Sequence, residues 1–335
     1  MFDHGEKTIQ RITIDDVAAA AGVSRQTVSN VIHGTGRVGA STARRVEEHI
    51  ERLGYTLHLG ASSMRSQRVH QVAYPTHPYE LATDNALGME FLQRLARATG
   101  ERRHHLLVVS DPTPHDLREL INSRRADGFI FSDMSIDDER ARLATRLEVP
   151  FAAFGRTTAD SRQAWVDVNN AVGTRAMTDH LIAAGHRTIV FFGLESQAYW
   201  DVERRQGYQQ RMDDAGLPAR SVLVANDERE IRAAARRLVT ESPAPAIVGG
   251  SDKLATAIYA AAAEAGRTVG EDVSVTGFDG GLVSRTLIPR LTTVRIPLER
   301  ITEHVLQRYL HELEDGPTDE PGEIIDTEII IGASG

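Results

Sequence analysis

The stretch that decides the N-terminal fold is TIDDVAAAAGVSRQTVSNVIHGTGRVGASTARRVEEHIERLGY, which occupies Thr13–Tyr55. Its apolar residues recur at helical spacing and glycines separate the apolar segments, so it predicts three short helices. Thr13 and Asp16 fit a capping box at the start of the first helix. Gly54 is placed to end the third helix.

The second predicted helix carries side chains that are suited to contacting DNA bases. It begins after Ser24, a favourable N-cap residue, and continues as RQTVSN over residues 25–30. Arg, Gln and Asn are the side chains that make bidentate hydrogen bonds to guanine or adenine in the major groove. A short helix with an apolar face and such a polar face, after a helix and a glycine turn, predicts a recognition helix.

Length and charge limit the possible classes of protein. The 335 residues predict two or three domains, and the net charge of −9 argues against a histone-like binder that ignores DNA sequence. Residues 1–68 hold nine Lys/Arg against seven Asp/Glu, so this part is at +2 and the remainder at −11. A mildly basic head on an acidic body suits phosphate contact by the head alone.

Several classes of chemistry lack their sequence signatures. The chain has no Cys, which excludes disulfides and thiolate chemistry. No apolar run approaches the roughly 20 residues that span a bilayer, and the N-terminus shows no signal-peptide core, so we expect a cytoplasmic protein without a membrane partner. No nucleophile elbow, phosphate-binding loop or metal-spaced His cluster occurs. We therefore expect no catalytic residues, cofactor or metal site, and no enzyme activity.

The stretch 13–55 resembles, along its whole length, the DNA-binding head of the LacI/GalR family of transcriptional repressors. The resemblance implies that Arg25, Gln26 and Asn30 contact bases. It further implies contacts to phosphate, or capping, by Ser24, Thr27 and Ser29. Gly39 and Ala43 depart from the family's usual Ser and Arg, which weakens the cap of the third helix and removes one phosphate contact. The alternative is an unrelated three-helix bundle with chance polar residues.

The next segment, HLGASSMR at residues 58–65, is similar to the hinge helix of the same family. Such hinges become helical on DNA, where an apolar side chain wedges into the minor groove. The resemblance puts Met64 at the wedge position. A plain flexible linker is the alternative. We thus expect a DNA-binding domain at 1–57, a hinge at 58–68 and an effector-binding and dimerisation body at 69–335.

From Val69 onward, short apolar runs alternate with amphipathic helices, which predicts parallel sheets covered by helices on both faces. The pattern occurs twice and resembles the periplasmic-binding-protein-like body of the family. The predicted fold is thus an all-α helix-turn-helix head plus an α/β body of two parallel-sheet subdomains. We expect an N-subdomain at about 69–168 and 297–322, and a C-subdomain at about 169–294 and 323–335. The expected crossings lie near Asp167–Asn169, Val294–Pro297 and Gly322–Glu323.

Ligands of open α/β sheets bind at the carboxyl ends of the strands. Arg156 follows the last strand predicted for the first half, and either donates to sugar hydroxyls or forms an interdomain salt bridge. Trp200 offers a ring face for a pyranose. The family resemblance implies effector contacts by Arg204 and Asp279. Ser251 stands where the family commonly has Asn, with Asp252 beside it as a candidate helix cap.

Together these features predict a sequence-specific repressor of carbohydrate-utilisation genes, released from its operator by a sugar. The expected partners are pseudo-palindromic operator DNA, a saccharide effector and a second copy of the chain. The C-terminus has no heptad repeat, which favours a dimer over a tetramer. One alternative is a regulator that uses a purine or nucleoside corepressor. Another is a sugar-binding protein without a regulatory role, but this leaves residues 13–55 unexplained.

Overall fold

The computed structural model describes residues 12–33, 35–55, 68–77, 85–158, 163–241, 245–317 and 321–335. The chain divides into two compact units, Met1–Val69 and His70–Gly335. We call them the head and the body.

The head consists of three helices, α1 (Ile14–Ala21), α2 (Arg25–His33) and α3 (Ala40–Leu53). The predicted capping box is formed, because the Asp16 backbone N–H donates to Thr13 Oγ1 at 3.3 Å and the Thr13 N–H donates to Asp16 Oδ2 at 2.7 Å. Gly54 ends α3 with φ +64°, which a residue without a side chain adopts at little cost. Three fully buried valines, Val17, Val28 and Val46, join the helices into a small core.

The body holds two six-stranded sheets that define its two subdomains. The N-subdomain sheet has the order β11-β5-β4-β3-β1-β2, and the C-subdomain sheet has the order β12-β10-β9-β8-β6-β7. All paired strands are parallel except β12, which runs antiparallel to β10. Their bounds are β1 Gln71–Thr76, β2 His105–Ser110, β3 Gly128–Phe131, β4 Phe151–Phe154, β5 Trp165–Val168, β6 Ile189–Leu194, β7 Arg220–Val224, β8 Ala246–Gly249, β9 Val275–Asp279, β10 Thr292–Arg295, β11 Glu323–Ile325 and β12 Glu328–Ile330.

Helices cover these sheets, as buried parallel strands require. Strands β3 and β8 are buried at every position, so their sequences are continuous apolar runs rather than alternating ones. The helices of the body are α4 Ala86–Glu101, α5 Pro114–Asn122, α6 Glu139–Arg146, α7 Asn170–Ala183, α8 Tyr199–Asp214, α9 Glu228–Thr240, α10 Asp252–Glu264, α11 Leu282–Thr286 and α12 Leu298–Asp315. The predicted fold class is confirmed.

The structure corrects three details of the sequence interpretation. Strand β5 follows β4 in the N-subdomain sheet, so Arg156 does not follow the last strand of the first half. Helix α12 was not predicted, although its apolar face packs on the N-subdomain core. Strand β11 pairs in parallel with β5, so the third crossing lies at Asp326–Thr327 rather than at Gly322–Glu323.

Candidate functional sites

The exposed face of α2 carries the side chains predicted to contact bases. Arg25, Gln26, Ser29 and Asn30 are spaced so that they share one face of the helix, while Val28 is fully buried on the other. Gln26 Nε2 donates to Asn30 Oδ1 at 2.9 Å, so the two amides hold each other in place. Arg25 is exposed and lies 3.8 Å from an Asp15 carboxylate oxygen, a distance too long for a strong ion pair in water.

Ser24 and Thr27 form the N-terminal cap of this helix. The Thr27 N–H donates to Ser24 Oγ at 3.1 Å, and the two hydroxyl oxygens lie 2.9 Å apart. Capping satisfies one of the free N–H groups at the helix start and so fixes where the recognition face begins. Met64 and most of the expected hinge lie outside the described residues.

The carboxyl ends of the two sheets face a cavity of about 970 Å³ in the body. Four of the five predicted effector residues line it, namely Trp200, Arg204, Ser251 and Asp279. Side chains from both subdomains form the wall. The N-subdomain contributes Tyr74, Asn85, Phe91, Ser132, Asp133 and Phe154, and the C-subdomain adds Asn226, Glu228, Ile231, Arg232, Asp252 and Lys253.

Arg204 is the central cation of the cavity and is almost completely buried. Its guanidinium lies between two rings, with the Phe278 centre at 3.7 Å and the Trp200 centre at 4.5 Å. Nε donates to Asn170 Oδ1 at 3.0 Å, and Nη1 donates to the Gly250 carbonyl at 2.8 Å and to Asp279 at 3.3 Å. Because both faces and three donor contacts are fixed, this side chain is preorganised.

A buried carboxyl group, Asp252, and a partly buried one, Asp279, lie close together near Arg204. Asp252 accepts from Thr293 Oγ1 at 2.6 Å and from the Gly280 N–H at 2.9 Å. Burial and the neighbouring Asp279 carboxylate together raise the pKa of Asp252 to about 8. Burial also raises the pKa of Asp279 to about 6, against the opposing effect of the arginine. Near neutral pH the pair therefore holds a proton and offers both a donor and acceptors to a hydroxyl-rich ligand.

Ser251 rather than Asp252 caps α10, which corrects the role suggested from sequence. The Leu254 N–H donates to Ser251 Oγ at 3.3 Å, while the Asp252 carboxyl points to β9 and β10. Ser251 lines the cavity with one hydroxyl that is already occupied by the cap.

Trp200 lies at the cavity wall, but only part of its ring is available to a ligand. Its indole Nε1 donates to Asp133 Oδ1 at 2.6 Å, and one ring face covers Arg204. A sugar that stacks on this indole must therefore use the opposite face.

Arg156 does not line the cavity. Its guanidinium donates to Glu203 Oε1 at 2.5 Å, lies 3.7 Å from Asp167 and packs over the Trp165 ring at 4.9 Å. Glu203 is on α8 of the C-subdomain, so the ion pair joins the two subdomains, which is the alternative that the sequence left open. Burial raises the pKa of Asp167 to about 7.

Among the cavity residues that were missed from the sequence are Asp133, which contacts Trp200, and Asp252, whose role was limited to a helix cap. Both follow closely on parallel strands, β3 and β8, so the strand-end rule used for the other candidates also selects them. Their contacts across the cavity were not visible in the sequence, because their partners lie 67 and 41 residues away.

Comparisons with known proteins identify both parts of the chain. Residues 13–57 match the model described as bacterial regulatory proteins, lacI family. Residues 178–335 match the periplasmic binding protein-like domain. The HTH-type transcriptional regulator CelR of Thermobifida fusca is 28% identical and covers 97% of this chain and 99% of its own length. The uncharacterized HTH-type transcriptional regulator YvdE of Bacillus subtilis is also 28% identical and covers 96% of this chain and 99% of its own length.

Two solved structures align with almost the whole chain. A CelR–cellobiose complex has a TM-score of 0.72 at 25% identity and covers 97% of this chain and 100% of its own. The lac repressor dimer bound to operator and an anti-inducer has a TM-score of 0.85 at 20% identity and covers 97% and 99%. The second likeness shows the fold alone.

A helix-turn-helix head followed by a two-subdomain body with a cavity at its strand ends defines a DNA-binding transcriptional regulator with a ligand-binding module. The head carries the DNA-binding domain of the lacI family of bacterial regulatory proteins and the body carries a periplasmic binding protein-like domain, as the resemblance of residues 13–55 predicted. Among the described residues, no helix is long and apolar enough to cross a membrane.

Proposed function

We propose that this regulator represses carbohydrate-utilisation genes and is released from its operator by a saccharide bound in the body. The observation that carries the proposal is the preorganised Arg204–Asp279 pair at the wall of a cavity of about 970 Å³. Its charged and hydroxyl groups sit among apolar and aromatic side chains, which suits a ligand with vicinal hydroxyls and apolar C–H faces. The CelR structure, which contains cellobiose, supports a sugar as the ligand class.

The head would supply the DNA specificity. We propose that Arg25, Gln26 and Asn30 hydrogen-bond base edges and that Ser24, Thr27 and Ser29 contact phosphates, which their position on and near the exposed face of α2 supports. We propose residues 58–68 as the hinge and Met64 as its minor-groove wedge. Two copies of the chain would bind two half-sites of a pseudo-palindromic operator.

Arg204, Asp279, Ser251 and Trp200 are the proposed effector contacts, and Arg156 acts by joining the subdomains rather than by touching the ligand. An effector that binds one arrangement of the subdomains better than the other shifts the population toward it. Moving operator occupancy from 99:1 to 1:99 requires about 5.5 kcal/mol of differential binding. We further propose that the protein acts in the cytoplasm as a regulator without catalytic activity, which the regulator relatives support.

The test uses operator DNA selected from a random pool with purified full-length protein, followed by fluorescence anisotropy. A thermal-shift screen of mono- and disaccharides, with purines and nucleosides as the competing class, identifies the effector. We expect a saccharide to raise the melting temperature and weaken operator affinity at least tenfold. Stabilisation by purines alone, or stronger operator binding with the ligand, contradicts the proposal.

A variant pair separates the two functions. Asp279→Ala should bind operator normally but resist release, because the effector loses its acceptor and the neighbouring cation loses its partner. Glu271→Ala, an exposed residue outside the cavity lining, is the matched control and should respond like the wild type. If release by the sugar survives in Asp279→Ala, the effector site lies elsewhere.

A further inference from the structure

The two subdomains are joined by noncovalent contacts on one side of the cavity, in addition to the three chain crossings. The loop after β3 and the loop before α8 run antiparallel at Ser135 and Ala198. The Ile136 N–H donates to the Gln197 carbonyl at 2.8 Å, and the Tyr199 N–H donates to the Met134 carbonyl at 3.1 Å. These backbone bonds place the start of α8 against the N-subdomain.

One side-chain hydrogen bond completes this junction and reaches the ligand cavity. Asp133 of the N-subdomain accepts from the indole Nε1 of Trp200 in the C-subdomain at 2.6 Å. The same indole covers the guanidinium of Arg204. The position of the ring over the central cation is thus set by a carboxylate from the opposite subdomain. We call the Asp133–Trp200 bond, together with the Ser135–Ala198 backbone pairing, the cross-cleft latch.

The backbone of Asp133 adopts a conformation that few side chains tolerate. Its φ of +50° lies in the left-handed region, which residues other than glycine enter at a cost that Asp tolerates better than most. Asp137, in the same loop, has a similar φ of +59°, but its carboxylate pairs with Arg142 of its own subdomain. The loop therefore holds two similarly strained aspartates, of which one faces the C-subdomain.

We propose that Asp133 is a positioning residue that holds Trp200 over Arg204 and thereby keeps the two subdomains in their closed arrangement. Opening the cleft requires the Asp133–Trp200 hydrogen bond to break, whereas the three covalent crossings only have to rotate. Because the bond is made across the cavity, it exists in the closed state alone. The charge-assisted Asp133–Trp200 contact thus favours the closed cleft, in addition to the backbone pairing and the Arg156–Glu203 ion pair.

This proposal deepens the proposed function, since it concerns the same cavity, but its test needs neither effector nor operator. The chain has no cysteine, so Glu119→Cys and Arg237→Cys place two spin labels uniquely on exposed helices, one in each subdomain. Dilution of labelled protein into unlabelled protein removes distances between copies. The interlabel distance distribution then reports the fraction of closed molecules.

In the doubly spin-labelled protein, Asp133→Ala removes the carboxylate that accepts from the Trp200 indole. The ratio of closed to open molecules should then fall about tenfold or more. The emission of Trp200 should shift to the red as its ring enters solvent, with the Trp200→Phe spectrum supplying the contribution of Trp165. Asp133→Asn keeps an acceptor oxygen and should restore much of the closed population. Asp137→Ala, the matched control, should leave both signals unchanged.

Trp200→Phe keeps a ring over Arg204 but removes the N–H donor, so it tests the same bond from its other end. It should open the cleft as Asp133→Ala does, and the double variant should open it no further than either single one. If Asp133→Ala does not fold, the Trp200→Phe distances decide the question. Distances equal to those of the parent in every folded variant of this pair, or additive effects in the double variant, overturn the proposal.

Discussion

The recognition face of α2 and the wall of the body cavity differ in how their side chains are held. The α2 side chains come from six consecutive residues, are exposed or half-buried, and bond mainly within their own helix. Arg204 and its partners come from separate elements between Asn170 and Asp279, and most of them are buried. One surface is assembled by local structure and the other by the tertiary fold.

This difference has consequences for stability. An exposed polar side chain on a helix can change with little effect on folding, because water replaces its partners. A buried cation between two rings leaves unpaired carboxyl and amide groups when it is removed. DNA specificity should therefore be separable from stability, whereas effector recognition and stability should be coupled.

The largest expected effect tests that coupling. Arg204→Ala should lower the free energy of unfolding of the body by about 3–5 kcal/mol, because the buried Asp279 and Asn170 lose their partner. Urea denaturation of the full-length protein measures it. Arg205→Ala, the neighbouring arginine outside the cavity lining, should cost about 0.5 kcal/mol or less. Equal losses for the two arginines would remove the proposed distinction.

The pH dependence of stability should differ in sign between the two regions. In the body, burial raises the pKa of Asp252 to about 8, of Asp167 to about 7, and of Asp279 and Asp201 to about 6, all above the ordinary value of 3.8. These four carboxyls bind more protons in the folded body than in the unfolded chain, so their contribution to stability should fall as pH rises from the ordinary value of 3.8 to about 8. In the head, hydrogen bonds from Thr13 lower the pKa of Asp16 below its ordinary value of 3.8. The contribution of Asp16 to stability is therefore present at neutral pH and is lost as pH falls below 3.8.

Asp252→Asn sharpens this pH prediction, since the amide stays neutral at every pH. The variant should have a flatter dependence of the urea midpoint on pH between 6 and 9, and should be more stable relative to wild type at pH 9 than at pH 5. Asp272→Asn, on the surface of the same subdomain, is the control. Parallel curves for Asp252→Asn and wild type would show that this carboxyl does not titrate in the window.

The recognition face should show the opposite behaviour to the cavity. Gln26→Ala should lose about 1–3 kcal/mol of discrimination between the selected operator and a mismatched one, with a change of about 0.5 kcal/mol or less in unfolding. Competition anisotropy and urea denaturation measure the two quantities. Glu48→Ala on the exposed face of α3 is the matched control for discrimination. A Gln26→Ala protein that retains full specificity would remove this residue from base contact.

The smallest effects concern the helix caps of the head. Thr13→Ala should cost about 1 kcal/mol, because it removes the hydroxyl that accepts from the Asp16 N–H and donates to the Asp16 carboxylate at the start of α1. Gly39→Ser should gain a few tenths of a kcal/mol, since α3 lacks a side-chain cap and a side chain at Gly39, its N-cap, would meet open space. Thermal unfolding of the full-length protein resolves both, and a gain in Thr13→Ala would contradict the assignment.

The sequence was informative where interactions are local. The capping box, the Gly54 terminus, the polar face of α2 and most strands followed from spacing and composition, because each depends on residues within a few positions of one another. The misses have different causes. Helix α12 carries apolar residues at helical spacing, so the local sequence contained its signal. Strand β11 is defined by its pairing with β5, where Glu323 lies beside Val166, and this distant pairing shifted the third crossing.

The same distinction holds at the cavity. The strand-end rule and the family resemblance selected Arg204, Ser251 and Asp279, and the suitability of an indole face for a pyranose selected Trp200; all four line the cavity. Only the tertiary structure shows that Arg156 forms an ion pair with Glu203 of the other subdomain and that Asp133 accepts a hydrogen bond from the indole of Trp200. Such pairings join residues 47 and 67 positions apart, where the sequence gives no distance and burial decides which charges must find a partner.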